Sequence, residues 1–154
     1  MTQQFNKLFI LAFLFSGITA CQQSKNTEQA VNTEPHSAGL IINLVSDATA
    51  SAHSSLMGLH LGQNALKNEI PVTVFLNVNG VKLMSPGADT LSFQDENLHA
   101  LLKAMISDGA QVLACPHCMK VEGIEESNLI EGVKVSNEEL MMPKIKASPT
   151  VFTY

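Results

Sequence analysis

The chain has 154 residues and a net charge of −5, and lysine is its only basic residue apart from histidine. A chain of this length can form one domain with a hydrophobic core. Because the chain contains no arginine and its nine lysines are scattered, it offers no basic surface for phosphate groups, and nucleic-acid binding is excluded.

The N-terminal region predicts export and lipid attachment. Lys7 precedes an apolar stretch at 8–15, which is too short to span a bilayer and is typical of a secretory signal. The sequence Ile-Thr-Ala-Cys at 18–21 resembles the bacterial lipoprotein signal, which implies that residues 1–20 are removed and that Cys21 is lipidated. The alternative interpretation is an ordinary secretory signal cut near residue 20, with Cys21 incidental.

Residues 21–38 predict a disordered tether, because they are rich in Gln, Ser, Asn, Thr and Glu and contain almost nothing apolar to bury. Such a tether would join a lipid-anchored N-terminus to a domain in the periplasm. Gln22 follows Cys21, and resemblance to Gram-negative lipoprotein sorting implies delivery to the outer membrane when this residue is not aspartate.

Residues 39–154 predict a single α/β domain. Apolar runs predict strands at 40–45, 71–76, 111–114 and 150–152, and amphipathic or capped stretches predict helices from about 52 to 68, from 97 to 108, from Pro116 and from Ser136. The alternation predicts a three-layer α/β/α sandwich around a mostly parallel sheet of about five strands. Asn79-Gly80 predicts a turn, with 81–83 as a short extension of the second strand, and Pro143 is expected to cut the last helix short.

The motif Cys115-Pro116-His117-Cys118 follows the third predicted strand and begins a short helix that Gly123 closes. In parallel sheets, chemistry occurs at the carboxyl ends of the strands, and the N–H groups and dipole at a helix N-terminus stabilise a thiolate. We therefore predict that Cys115 is the nucleophile and that Cys118 attacks a mixed disulfide or persulfide on it. His117 either lowers the thiol pKa further or is a solvated surface histidine, and the sequence leaves both interpretations open.

Other interpretations of the cysteine pair exist. A disulfide that only braces the fold is one, but closing a loop of about four residues contributes only about 2 kcal/mol. A soft-metal module for copper or zinc is another, since thiols, imidazole and methionines such as Met119 suit these ions, although one cysteine pair is too few for a closed four-thiolate site. A third is a non-catalytic scaffold. No nucleotide-binding loop is present in the sequence, and no cofactor is predicted.

The remaining histidines are less informative. His53 and His60 are seven positions apart and could share one face of the first helix, but a pair at that spacing is usually incidental. His99 falls on the polar side of the helix at 97–108, so we predict that it faces solvent.

Two families of known proteins resemble parts of the sequence. Cys-Pro-His-Cys is the active-site tetrapeptide of periplasmic thioredoxin-fold oxidases, but in that fold the motif follows the first long strand, whereas here it comes two-thirds of the way along the chain. The order and spacing of several short motifs instead resemble the DsrE/DsrF-like family of sulfur-handling proteins over residues 39–154. These motifs are the apolar first strand, the Asn79-Gly80-Val81 turn, Gly-Ala-Gln-Val-Leu-Ala-Cys at 109–115, Gly123-Ile124, and Leu-Ile-Glu-Gly-Val at 129–133.

This resemblance implies that Cys115 occupies the position of the family cysteine that carries sulfur as a persulfide. It also implies a homo-oligomer, either a trimer or a hexamer, and a partner that donates or accepts sulfur, either a protein or a small sulfur compound. Cys118 and His117 depart from the sulfur-relay members, in which one cysteine is enough. The departure favours thiol–disulfide exchange or a resolved persulfide over simple carriage of sulfur.

Overall fold

The structure, a computed structural model, describes residues 39–147 and 149–154. The predicted signal at 1–20, the predicted lipid site Cys21 and the predicted tether at 21–38 lie outside the described residues. Among the residues that are described, no helix is both long and apolar enough to cross a bilayer.

Strands and helices alternate along the described chain. In chain order the elements are β1 (Leu40–Leu44), α1 (Ala52–Lys67), β2 (Val72–Leu76), β3 (Ser92–Phe93), β4 (Glu96–Asn97), α2 (Leu98–Ser107), β5 (Gln111–Ala114), α3 (Pro116–Glu122), β6 (Val133–Val135), α4 (Glu138–Lys146) and β7 (Thr150–Thr153). Short 3-10 helices occupy Val78–Met84, Ala88–Thr90 and Glu126–Asn128. The two-residue strands β3 and β4 form a separate antiparallel hairpin.

The main sheet has five strands in the order β6-β5-β2-β1-β7, and every neighbouring pair is parallel. Strands β1, β2, β5 and β6 succeed one another in one direction, so right-handed connections place α1 and α2 on one face. The chain then returns across the sheet to β7, which places α4 on the other face. The predicted three-layer α/β fold with a parallel sheet of about five strands is confirmed.

The core lies between the sheet and the layer of α1 and α2. Ile42, Val74 and Val112 point into this layer from the three central strands and are fully buried. They belong to one cluster with the buried side chains of the two helices, namely Leu56, Leu59, Leu98, Leu102 and Met105. Each such side chain contributes about 1.5–3 kcal/mol by leaving water, so this layer fixes the central strands and the loops that follow them.

Two local predictions were wrong. Residues 81–83 lie in the 3-10 helix Val78–Met84 rather than in an extension of β2. Pro143 lies inside α4, which begins after its N-cap Asn137 and continues to Lys146. A proline removes only one helical N–H, and the N–H of Ala147 still reaches the Pro143 carbonyl at 3.1 Å.

Candidate functional site

Cys115 lies at the carboxyl end of β5 and is the N-cap residue of α3. Its backbone N–H donates to the Leu76 carbonyl at 2.9 Å, which continues the pairing of β5 with β2 by one residue. Pro116 then occupies the first turn of α3, where its missing N–H costs nothing and its fixed φ suits a helix. The sulfur is therefore held at the tip of a central strand, as the sequence predicts.

The two thiols of the motif lie against each other. Both cysteines are free and partly buried, and their sulfur atoms are 2.8 Å apart, with the Cys118 thiol donating to Cys115 Sγ. The backbone N–H of Cys118 also points at Cys115 Sγ, at 3.4 Å. Cys115 Sγ is therefore the acceptor of the pair, with two donors from Cys118 directed at it.

Cys118 contacts the loop that follows β2. Its sulfur accepts a hydrogen bond from the Val78 N–H at 3.2 Å, and its thiol also lies 3.4 Å from Asn77 Oδ1. Burial raises the pKa of the Cys118 thiol, its hydrogen bond to Cys115 raises the pKa further, and the Val78 N–H opposes both effects. Cys118 is therefore held as the protonated partner of Cys115.

A row of hydrogen-bonded polar side chains extends from these thiols across the carboxyl ends of the strands. Asn77 Nδ2 lies 3.4 Å from Asn43 Oδ1, and Asn43 Nδ2 lies 3.3 Å from Thr153 Oγ1. Because Asn77 directs its amide nitrogen at Asn43, its Oδ1 is left to face Val78 and Cys118. Our sequence reasoning missed Asn77 and Asn43, although polar residues within or directly after two adjacent apolar strands were a usable signal.

The loop after β2 is anchored on both sides. A Cβ atom on Gly80 would overlap the Leu44 carbonyl oxygen, so the loop lies directly on the end of β1. Lys82 binds Asp47 at 2.9 Å and Glu122 of α3 at 3.6 Å. Hydrogen bonds from Thr49 and then Lys82 lower the pKa of Asp47 from 3.8 to about 2.

The histidines are placed apart from the thiols. His117 is exposed on α3 and, among the described residues, has no hydrogen bond to either sulfur. His53 stacks on Phe93 with ring centroids 4.4 Å apart, and His60 binds Glu96 at 2.7 Å. The prediction that His99 faces solvent was wrong, because its ring is partly buried and hydrogen-bonds to the Leu83 carbonyl.

The described residues gather no group of three or more His, Cys, Asp or Glu side chains that could hold a metal ion. The cysteine pair offers two sulfur ligands, and its neighbours Asn77 and Val78 contribute an amide oxygen and an N–H. A donor set of this kind fits thiol chemistry better than a closed copper or zinc site, which takes three or four protein ligands.

Comparison with known proteins identifies the family. The DsrE/DsrF-like family model matches residues 39–154. The chain belongs to the DsrE/DsrF-like family. It is 30% identical over 111 residues to the uncharacterized protein MJ0989 of Methanocaldococcus jannaschii, and the match covers 72% of this chain and 96% of that protein. It is also 30% identical over 122 residues to the uncharacterized protein MK0008 of Methanopyrus kandleri, across 78% of this chain and 98% of that protein.

The solved structures of other proteins agree on the fold. The YchN protein from E. coli superposes with a TM-score of 0.65 at 19% identity, covering 76% of this chain and 99% of YchN. The protein BT1422 of Bacteroides thetaiotaomicron superposes with a TM-score of 0.56 at 16% identity, covering 80% of this chain and all of that protein. Membership of the DsrE/DsrF-like family supports a general sulfur-related function for this chain.

Proposed function

We propose that this DsrE/DsrF-like protein accepts sulfane sulfur on Cys115 as a persulfide and that Cys118 resolves the product. The observation that carries the proposal is the hydrogen bond from the Cys118 thiol to Cys115 Sγ across 2.8 Å. It places the two sulfur atoms in direct contact, with Cys115 as the hydrogen-bond acceptor and Cys118 as the donor whose pKa is raised, and this arrangement suits a nucleophile and a resolving cysteine.

The proposed first step is attack by the Cys115 thiolate on a sulfane sulfur of a polysulfide or of a donor protein's persulfide. The new bond is Cys115 Sγ–S, the S–S bond of the donor breaks, and the donor leaves as a thiolate or a shorter polysulfide. In the second step the Cys118 thiolate attacks Cys115 Sγ, which forms the Cys115–Cys118 disulfide and releases hydrosulfide. The two cysteines are oxidised and the sulfane sulfur is reduced.

A thiol acceptor gives a second outcome for the same intermediate. An external thiolate that attacks the outer sulfur takes it away and restores Cys115, so the protein then acts as a sulfur carrier. Thiol–disulfide exchange with a partner uses the same two cysteines, with a mixed disulfide in place of the persulfide. Metal binding has less support, since the cysteines have no third ligand of the usual type beside them in the described part of the chain.

Exposure of the full chain to polysulfide tests the proposal. We expect Cys118→Ser to retain one cyanide-labile sulfur on the peptide that contains Cys115, because its resolving thiol is gone. The wild type should release sulfide and end as the Cys115–Cys118 disulfide, and Cys115→Ser should retain no sulfur on that peptide. Peptide mass spectrometry reads all three products, and His117→Asn is a matched variant within the motif that is expected to behave as the wild type.

Equal retention of sulfur by Cys115→Ser and Cys118→Ser would contradict the assigned roles. An absence of sulfur in every variant would instead favour a scaffold whose thiols do not react. Both outcomes are read as the mass of the peptide that contains positions 115 and 118. Detection of that peptide shows that the digestion worked.

We further propose that the mature protein is a periplasmic lipoprotein, anchored to the outer membrane through Cys21. The support is the sequence alone: Lys7, the apolar stretch at 8–15 and the small residues before Cys21. Expression of the full chain in a Gram-negative host with labelled palmitate should label the wild type and not Cys21→Ser. Equal labelling of both proteins would contradict this localisation.

A further inference from the structure

We infer that Asn77 is a positioning residue that, together with the backbone N–H of Val78, controls when Cys118 gives up its proton. The inference rests on the proposed function, since it concerns the resolving step. It assigns that control to the loop after β2, which contributes neither cysteine.

The first support is the arrangement of donors and acceptors around Cys118. Its one thiol proton has two acceptors in reach, Cys115 Sγ at 2.8 Å and Asn77 Oδ1 at 3.4 Å. Among the described residues, its sulfur has one donor from outside the motif, the Val78 N–H at 3.2 Å. While Cys115 is a thiolate, the proton of Cys118 has a charged acceptor and stays in place.

Loading of Cys115 changes this balance. Once Cys115 Sγ is bonded to a second sulfur, the negative charge lies on the outer sulfur of the persulfide and no longer on Cys115 Sγ. The proton of Cys118 can then pass to that outer sulfur, which leaves as hydrosulfide when Cys118 attacks Cys115 Sγ. The Val78 N–H then remains as a donor that stabilises the Cys118 thiolate. The resolving cysteine is thus ionised after the nucleophile has reacted, and not before.

The second support is the backbone of Val78. Its φ is 49°, a left-handed conformation that a β-branched residue adopts only when its surroundings impose it. In this conformation the Val78 N–H lies between Asn77 Oδ1, at 2.9 Å, and Cys118 Sγ, at 3.2 Å. The side chain of Val78 is 52% exposed, so burial of the side chain does not account for the strain.

The third support is that Asn77 carries a side-chain amide and not a carboxylate. Asn77 Oδ1 is neutral and lies 3.4 Å from Cys118 Sγ, so it accepts the thiol proton weakly and does not repel a thiolate. A carboxylate in the same place would still accept the Val78 N–H but would oppose a negative charge on Cys118. Asn77→Asp therefore separates control of the proton from support of the loop.

The test measures the pH dependence of Cys118 alkylation in the full chain carrying Cys115→Ser, with peptide mass spectrometry to separate Cys118 from Cys21. We expect Asn77→Asp to raise the pKa of Cys118 by about one unit or more. Asn77→Ala should not raise it, since the Val78 N–H is then left to the sulfur alone. Asn64→Asp, an equal charge change at an exposed position of α1, should leave the profile unchanged.

In the protein with both cysteines, a pKa higher by one unit lowers the thiolate fraction of Cys118 about tenfold at a pH below both pKa values. Release of sulfide after polysulfide loading should slow by about the same factor in Asn77→Asp, with loading of Cys115 unchanged. Superimposable alkylation profiles for the Cys115→Ser protein with and without Asn77→Asp would overturn the inference. So would a pKa raised equally by Asn77→Ala, since that result indicates general damage to the loop.

The two proposals fail separately. The alkylation experiment uses a variant that cannot form a persulfide on Cys115, so its outcome does not depend on sulfur transfer. Normal loading with an unchanged profile in Asn77→Asp would remove the role of Asn77 and leave the proposed function. A shifted profile with no loading in the wild type would remove the proposed function and leave the electrostatic role of Asn77.

Discussion

Gly80 is the residue on which the geometry of the loop after β2 depends most directly. A Cβ atom at this position would overlap the Leu44 carbonyl oxygen and lie 2.7 Å from the carbonyl carbon. Both are backbone atoms of a central strand and cannot rotate away, unlike the end of a flexible side chain. The close approach lets Asn77 donate its N–H to the same Leu44 carbonyl at 2.8 Å, and Asn77 and Val78 both contact Cys118.

We predict that Gly80→Ala lowers the free energy of unfolding by about 3 kcal/mol or more, because the strand and the loop must separate to make room. Urea unfolding followed by circular dichroism measures the change. Gly87→Ala is the matched control: Gly87 has φ of 84° and nothing within 4 Å of its would-be Cβ, so only conformational strain applies, at about 1 kcal/mol. Equal losses for the two variants would contradict the steric explanation.

The loop after β2 contains the 3-10 helix Val78–Met84, and Lys82 of this helix forms ion pairs with two neighbouring segments. Lys82 binds Asp47, in the loop after β1, and Glu122, at the end of α3. The pKa of Lys82 is raised, chiefly by its hydrogen bond to Asp47. The contact with Asp47 therefore holds the 3-10 helix against the loop after β1, and the contact with Glu122 holds it against the helix that bears Cys118.

The pH dependence of stability should reveal this contact. Hydrogen bonds from Thr49 and then Lys82 lower the pKa of Asp47 from 3.8 to about 2 in the folded protein, so these contacts stabilise the fold above about pH 4 and are lost as the pH falls toward 2. We expect Asp47→Asn to have a lower Tm than the wild type at pH 6, and the difference to shrink between pH 4 and pH 2. Asp95→Asn removes an equal charge from the exposed turn between β3 and β4, and a similar pH-dependent difference in that variant would contradict the assignment to Asp47.

The elements also differ in how far the sequence could predict them. Strands β1, β2 and β5 are continuous apolar runs, and α2 repeats its leucines at helical spacing, so local patterns were enough. Strand β6 is only Val133–Val135, with Lys134 exposed between two partly buried valines, and three residues carry too little pattern to identify a strand. It exists because it pairs with β5, a contact between segments far apart in sequence.

The candidate site shows the same division. The position of Cys115 followed from a strand that leads directly into a helix, which is a local signal. The contacts of Cys118 with Asn77 and Val78 join segments 41 and 40 positions apart, and the positive φ of Val78 has no signature in its residue type. Those features depend on the parallel pairing of β2 with β5, which sets the two loops side by side.

At the scale of the whole molecule, the surface has an exposed apolar edge at strand β7. Within the part of the chain that the structure describes, strand β7 lies at the edge of the sheet, pairs only with β1, and exposes all four of its residues. Val151 and Phe152 are 56% and 45% exposed, and Ile70 beside Phe152 is 38% exposed. An apolar edge strand without lysine or proline is a surface that soluble proteins normally cover or protect.

We predict that this edge lies in the interface of the homo-oligomer that the family resemblance implies. Pairing of a second copy with the free edge of β7, or packing on its apolar side chains, would satisfy the strand and remove Phe152 from water. Sedimentation equilibrium of the full chain in detergent, with the detergent density matched, should give a trimer or hexamer for the wild type and a smaller species for Phe152→Lys. Val121→Lys places the same charge on an apolar residue of α3 that is 68% exposed. If Val121→Lys dissociated while Phe152→Lys stayed assembled, the prediction would be contradicted and the interface would be assigned to the surface around α3.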